Sequence, residues 1–158
     1  MITAASELQL TAEDHDKAFN EVCFLLDMFV ETIEKFVGKS TPALAVAAGR
    51  KMAANMPIYL SEPTPENALA ELVRVFTIQQ MEITGEVQAN EAVLSLTHCP
   101  IGSVCKQRNM AIDGSACQMF HYYIAGIMAE FTGRPARPKT ISTGETCTFT
   151  LTFAGASR

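Results

Sequence analysis

The sequence predicts an α+β fold, with N-terminal helices packed on an antiparallel sheet in the order ααα-ββ-α-ββ, and three observations lead there. Apolar residues recur at helical spacing through three stretches of the first half, each opened by a threonine start signal. From Met81 the period changes to alternation, through two runs joined by a short turn. A further helical stretch then precedes a second alternating pair that ends at Phe153.

Thr11-Ala12-Glu13-Asp14 has the form of an N-cap with acidic residues in the first turn. Phe19, Val22, Cys23, Leu26, Phe29, Val30, Ile33 and Phe36 follow as an apolar stripe, and Gly38 is a natural stop. Thr41-Pro42 opens a second helix reaching about Met56, whose small residues around Gly49 suit close helix–helix approach. Thr64-Pro65-Glu66 opens a third, with Leu69, Leu72, Val73 and Phe76 on its apolar side. Met81 to Val87 and Ala92 to Cys99 read as strands about a Gln88-to-Glu91 turn. Residues 100–115 read as a loop, and Ser115 to Thr132 as the fourth helix, closed by Gly133. Lys139 to Thr143 and Thr146 to Phe153 form the last hairpin about Gly144-Glu145.

A length of 158 residues predicts one domain, spanning 1–158, large enough for a core without disulfides. No apolar run approaches the roughly 20 residues that cross a bilayer. The first residues, Met1 to Glu7, lack the basic and apolar regions of an export signal, so a cytoplasmic protein is expected. A net charge of −5, with basic residues gathered only locally, argues against direct nucleic-acid binding.

Five cysteines in a reducing compartment read as ligands or redox groups before disulfides. Four of them fall at Cys99-x5-Cys105-x11-Cys117-x29-Cys147. Each is expected at a strand end, in a loop, in a first helical turn or after a hairpin turn, positions from which distant thiolates can meet. His121, one turn after Cys117, is a further candidate ligand on the same helix face. Four thiolates would suit zinc or an iron–sulfur cluster. Cys23, on the buried stripe of the first helix, reads as a small hydrophobe.

The segment Cys117-x8-Gly126-x6-Gly133-Arg134, followed by Gly144-Glu145-x-Cys147-Thr148-Phe149, resembles the C-terminal half of vinyl-reductase-type (hydrocarbon-binding) domains. It is also similar to methanogen output domains and to the effector half of iron–sulfur-sensing winged-helix repressors. The Cys99-Pro100 pair fits the same pattern. The resemblance implies a ligand-binding α+β domain of regulators, commonly dimeric, so a homodimer is expected. Zinc-containing phenol-sensing relatives carry a Glu-x-x-Cys element before the last hairpin cysteine; Lys139 to Thr143 supplies neither residue here.

The expected function is therefore a cysteine-ligated metal- or iron–sulfur-binding sensory domain, signalling to a protein partner, without a DNA-binding module of its own. The alternative is a carrier of a small hydrophobic ligand, in a pocket lined by Met52, Met56, Met119, Met128 and Phe131. A cysteine-dependent enzyme using Cys117 and His121 ranks last, since no oxyanion donors or orienting group accompany that pair.

Overall fold

The computed structural model describes residues 11–155. The segment read for an export signal and the tail beyond Gly155 lie outside them. Helices α1 (Ala12–Val37), α2 (Thr41–Ala54) and α3 (Pro65–Ile78) lead to the hairpin β1 (Glu82–Gln88) and β2 (Glu91–Thr97). Helices α4 (Pro100–Gln107) and α5 (Ser115–Thr132) then precede β3 (Ala136–Ser142) and β4 (Thr146–Phe153). The antiparallel sheet has the order β1-β2-β4-β3, so the two hairpins join through the β2–β4 pair. The α+β class and the antiparallel sheet stand as expected.

Capping explains where the helices begin. Thr11 and Asp14 form a reciprocal capping box on α1. The Thr64 hydroxyl accepts from the Asn67 amide at 3.2 Å, and Pro65 takes the first turn of α3, where a missing N–H costs nothing. Helix α5 is the centre of the molecule. All of Ile124 to Ala129 is buried, because the helix lies between α2 on one side and the sheet and α3 on the other. Phe149, Leu151, Leu94, Leu96, Leu72 and Ile127 fill the sheet–helix core.

Three expectations need correction. Residues 100–107 are helical rather than loop, with Cys99 as N-cap and Pro100 at the first helical position. Ile101, Val104 and Cys105 give this helix its inner face, and the single Gly102 obscures so short a pattern. The α1 stripe does not bury as a whole: Cys23 and Val30 are buried, whereas Phe19, Val22, Phe29 and Phe36 are exposed. The methionine-lined pocket dissolves too, since Met128 and Phe131 are plain core and Met52 is exposed. Among the described residues, no helix is long and apolar enough to cross a membrane.

Candidate functional site

The four cysteines of the C-terminal part do gather in one region, between α4, the start of α5 and the start of β4. Cys99, Cys105, Cys117 and Cys147 lie near enough to influence one another's ionisation. They are arranged as two pairs rather than one four-ligand centre. Cys105 of α4 meets Cys117 in the first turn of α5, with the sulfurs 3.9 Å apart. Cys147 of β4 meets His121, with Sγ 3.5 Å from Nε2. Cys99 ends no strand; it caps α4, half-buried, on the wall of a cleft of about 120 Å³. His98, beside it, faces outward to the Glu82 carboxylate at 3.4 Å.

Among the described residues, no three His, Cys, Asp or Glu side chains converge where they could hold one metal ion. Burial, then the neighbouring Cys117, pushes Cys105 up to about 12. Burial pushes Cys147 up to about 11, with Cys99 and Cys117 adding to it. Burial raises Cys99 as well, against the amides of Gly102 and Ile101. As placed, the donor set does not fit zinc or an iron–sulfur cluster. At pH 8 the native protein is therefore expected to alkylate Cys147 about a hundredfold more slowly than an open thiol. Mass spectrometry after timed iodoacetamide treatment reads this directly, and fast labelling would reveal a stabilised thiolate.

His121 pairs with Cys147 rather than with Cys117, because the two helical residues leave α5 towards different neighbours. Its ring stacks on Phe149, centroids 4.2 Å apart and 16° from parallel. A hydrogen-bonded chain reaches it from the surface. The Gln118 amide nitrogen donates to Asp113 at 2.7 Å and to the Thr140 hydroxyl at 3.3 Å. The Thr140 hydroxyl in turn shares a hydrogen bond with His121 Nδ1, 3.2 Å away. Burial lowers the histidine pKa, with Asp113 opposing, so the ring is neutral.

The outer end of that chain opens into a cavity that the sequence did not announce. It holds about 420 Å³ between the α1–α2 turn and the start of α5. Glu34, Thr41, Asp113, Ser115, Gln118 and Tyr122 supply its polar wall. Asp113 takes a left-handed backbone, φ 66°, which aspartate tolerates better than most residues and which turns the chain into α5. Asp113-Gly114 lies within the stretch read as a loop, and nothing in it marked a cavity. Met119 lines this space and also a second, apolar one of about 210 Å³, walled by Leu26, Val30, Ala45, Ile101 and Phe120.

No curated protein sequence matches the chain. Among solved structures it matches the phenol-responsive sensory domain of the transcription activator PoxR, crystallised with phenol. The TM-score is 0.60 at 14% identity, covering 83% of this chain and 73% of that one. A likeness at that identity establishes a common fold, and it is with a phenol sensor, one of the kinds of relative that the C-terminal motifs suggested. The family described as L-2-amino-thiazoline-4-carboxylic acid hydrolase matches residues 24–151, from within α1 almost to the end of β4, and the chain belongs to that family.

Proposed function

We propose that the domain binds a small polar heterocycle in the cavity at the start of α5 and that the hydrolysis named by its family takes place there. The observation that carries this reading is two carboxylates, Glu34 and Asp113, on the wall of a cavity of ligand size. Its described lining contains no lysine or arginine. A 2-amino-thiazoline is a cyclic isothiourea, and in its protonated form the positive charge is spread over two nitrogens. Carboxylates recognise such a group by charge-assisted hydrogen bonds. The ligand's own carboxylate would meet the first-turn N–H groups of α5, where the helix dipole favours an anion.

Hydrolysis requires water to add to the carbon between the two nitrogens and the sulfur. A carboxylate at the wall accepts a proton from that water and returns it to the departing ring atom. Gln118 fixes Asp113 by its 2.7 Å hydrogen bond, leaving Glu34 as the more mobile of the two bases. Purified protein incubated with L-2-amino-thiazoline-4-carboxylic acid, followed by mass spectrometry, is expected to show ring opening. Glu34→Gln and Asp113→Asn are each expected to lower kcat/KM at least about tenfold. Turnover unchanged in both variants would place the chemistry elsewhere, and absence of binding by calorimetry would remove the reading altogether.

A second reading follows from the adjoining apolar chamber, whose wall is almost wholly hydrocarbon. There the domain acts as a ligand-binding sensory module, with an aromatic or aliphatic body in the chamber and a polar head beside Met119. Binding of the thiazoline acid or of phenol without turnover would favour this reading over hydrolysis.

A further inference from the structure

We propose that Cys105 and Cys117 are a redox modification site: oxidised by a peroxide, they join in a reversible disulfide that ties α4 to the first turn of α5. Their sulfurs lie 3.9 Å apart, the one thiol–thiol hydrogen bond among the described residues. Other thiols have other partners: Cys147 meets His121, and Cys23 donates to the Gln107 side chain at 3.2 Å. A disulfide needs about 2.05 Å between its sulfurs. The remaining gap of about 2 Å is within reach of side-chain rotation and a small slide of α4, a helix of only 8 residues.

The surroundings favour the bonded form. Cys105 is fully buried and Cys117 is 8% exposed, in a pocket with Leu26, Val30, Ile101 and Ala116. Burial and the second sulfur both oppose a charge on Cys105 there. A disulfide carries neither charge nor proton, so it suits that apolar space better than a thiolate does. Cys117, with its sliver of exposure, meets the oxidant. Its sulfur attacks one peroxide oxygen, the O–O bond breaks, and the departing hydroxide leaves with the thiol proton as water. Cys105 then attacks the sulfenic sulfur. The S–S bond forms, the S–O bond breaks, and a second water departs with the Cys105 proton. The thiols give up two electrons and two protons, and the peroxide is reduced to two waters. A small thiol reverses the bond by exchange. The bond closes residues 105–117 into a ring that contains Asp113 and Gly114 of the polar cavity wall.

The test is to treat the full chain with hydrogen peroxide at neutral pH, block free thiols with iodoacetamide in urea, and digest with trypsin without reduction. Trypsin cuts after Lys106 and Arg108, so the bond is expected to hold two peptides together until dithiothreitol parts them. Cys99 shares a tryptic peptide with Cys105, so Cys99→Ser is run alongside and is expected to give the same linked pair. Cys105→Ala and Cys117→Ala are each expected to abolish it. Closing a loop of this length restricts the unfolded chain, so the oxidised protein is expected to melt at least about 5 °C above the reduced one. Dithiothreitol should remove that difference. Unlinked peptides in both the native chain and Cys99→Ser overturn the proposal, whether or not the alanine variants fold. A predominant bond to Cys99 or Cys147 overturns it as well. So does a bond that lowers the melting temperature, because it then forms only by distorting the fold.

Discussion

Gly126→Ala is expected to destabilise the protein by about 3 kcal/mol or more, a large share of the roughly 5–15 kcal/mol that holds a domain folded. Helices α2 and α5 cross with their backbones almost touching. A Cβ at Gly126 would overlap the carbonyl oxygen of Val46, and one at Gly49 would overlap the carbonyl oxygen of Tyr123. The two contacts are reciprocal, each glycine receiving the other helix's backbone. Overpacking is tolerable where a flexible side chain can swing aside, but here the obstacle is backbone on both sides. Helix propensity acts in the other direction, since alanine favours a helix interior by up to about 1 kcal/mol over glycine. Gly102 of α4 separates the two effects, because its nearest neighbour to a new Cβ is Cys99 at an ordinary 3.8 Å. Gly102→Ala is therefore expected to leave stability unchanged or raise it by up to about 1 kcal/mol. Urea titration of the two alanine variants distinguishes the cases. A Gly126→Ala protein as stable as native would show that the helices can separate without loss.

The glycine crossing also shows what was legible in the chain. Small residues about Gly49 announced close approach, but the partner helix was beyond reach of local pattern, because Gly126 lies in a stretch buried on every side. Strand alternation placed β4 to the residue, since one face of it is packed and the other is threonine. Helix α4 escaped notice because eight residues hold barely two turns and a glycine sits among them. The pairing of the cysteines depends on how far α4 and β4 stand from α5, a tertiary quantity that spacing does not encode. The cavity was invisible for a related reason. Glu34 and Asp113 are ordinary surface carboxylates in sequence, and only the meeting of the α1–α2 turn with the α5 start makes them opposite walls of one space.

Stability is expected to peak between about pH 6.5 and pH 9, with distinct groups setting each limb. On the acid side, burial holds His121 below its ordinary 6.5, so an unfolded chain takes up that proton first. Where the unfolded state binds more protons, stability rises with pH; acidification through 6.5 therefore destabilises until the folded-state value is passed. Asp14 and Glu71, both lowered by hydrogen bonds, contribute only further down, as pH falls below their ordinary 3.8 and 4.5. On the alkaline side the sign reverses. Cys105 and Cys147 are raised from 9.0 to about 12 and about 11, so the unfolded chain loses those protons first. Their stabilisation is complete below pH 9 and declines as pH climbs towards the folded values. Tyr123, raised by burial, adds to the same limb above its ordinary 10.0. Melting temperatures measured across this range should show His121→Gln flattening the limb between pH 6.5 and pH 5 while leaving the alkaline one in place. Cys105→Ala should do the converse. An acid limb of equal depth in His121→Gln would mean that the carboxylates, and not the imidazole stacked on Phe149, set the lower boundary.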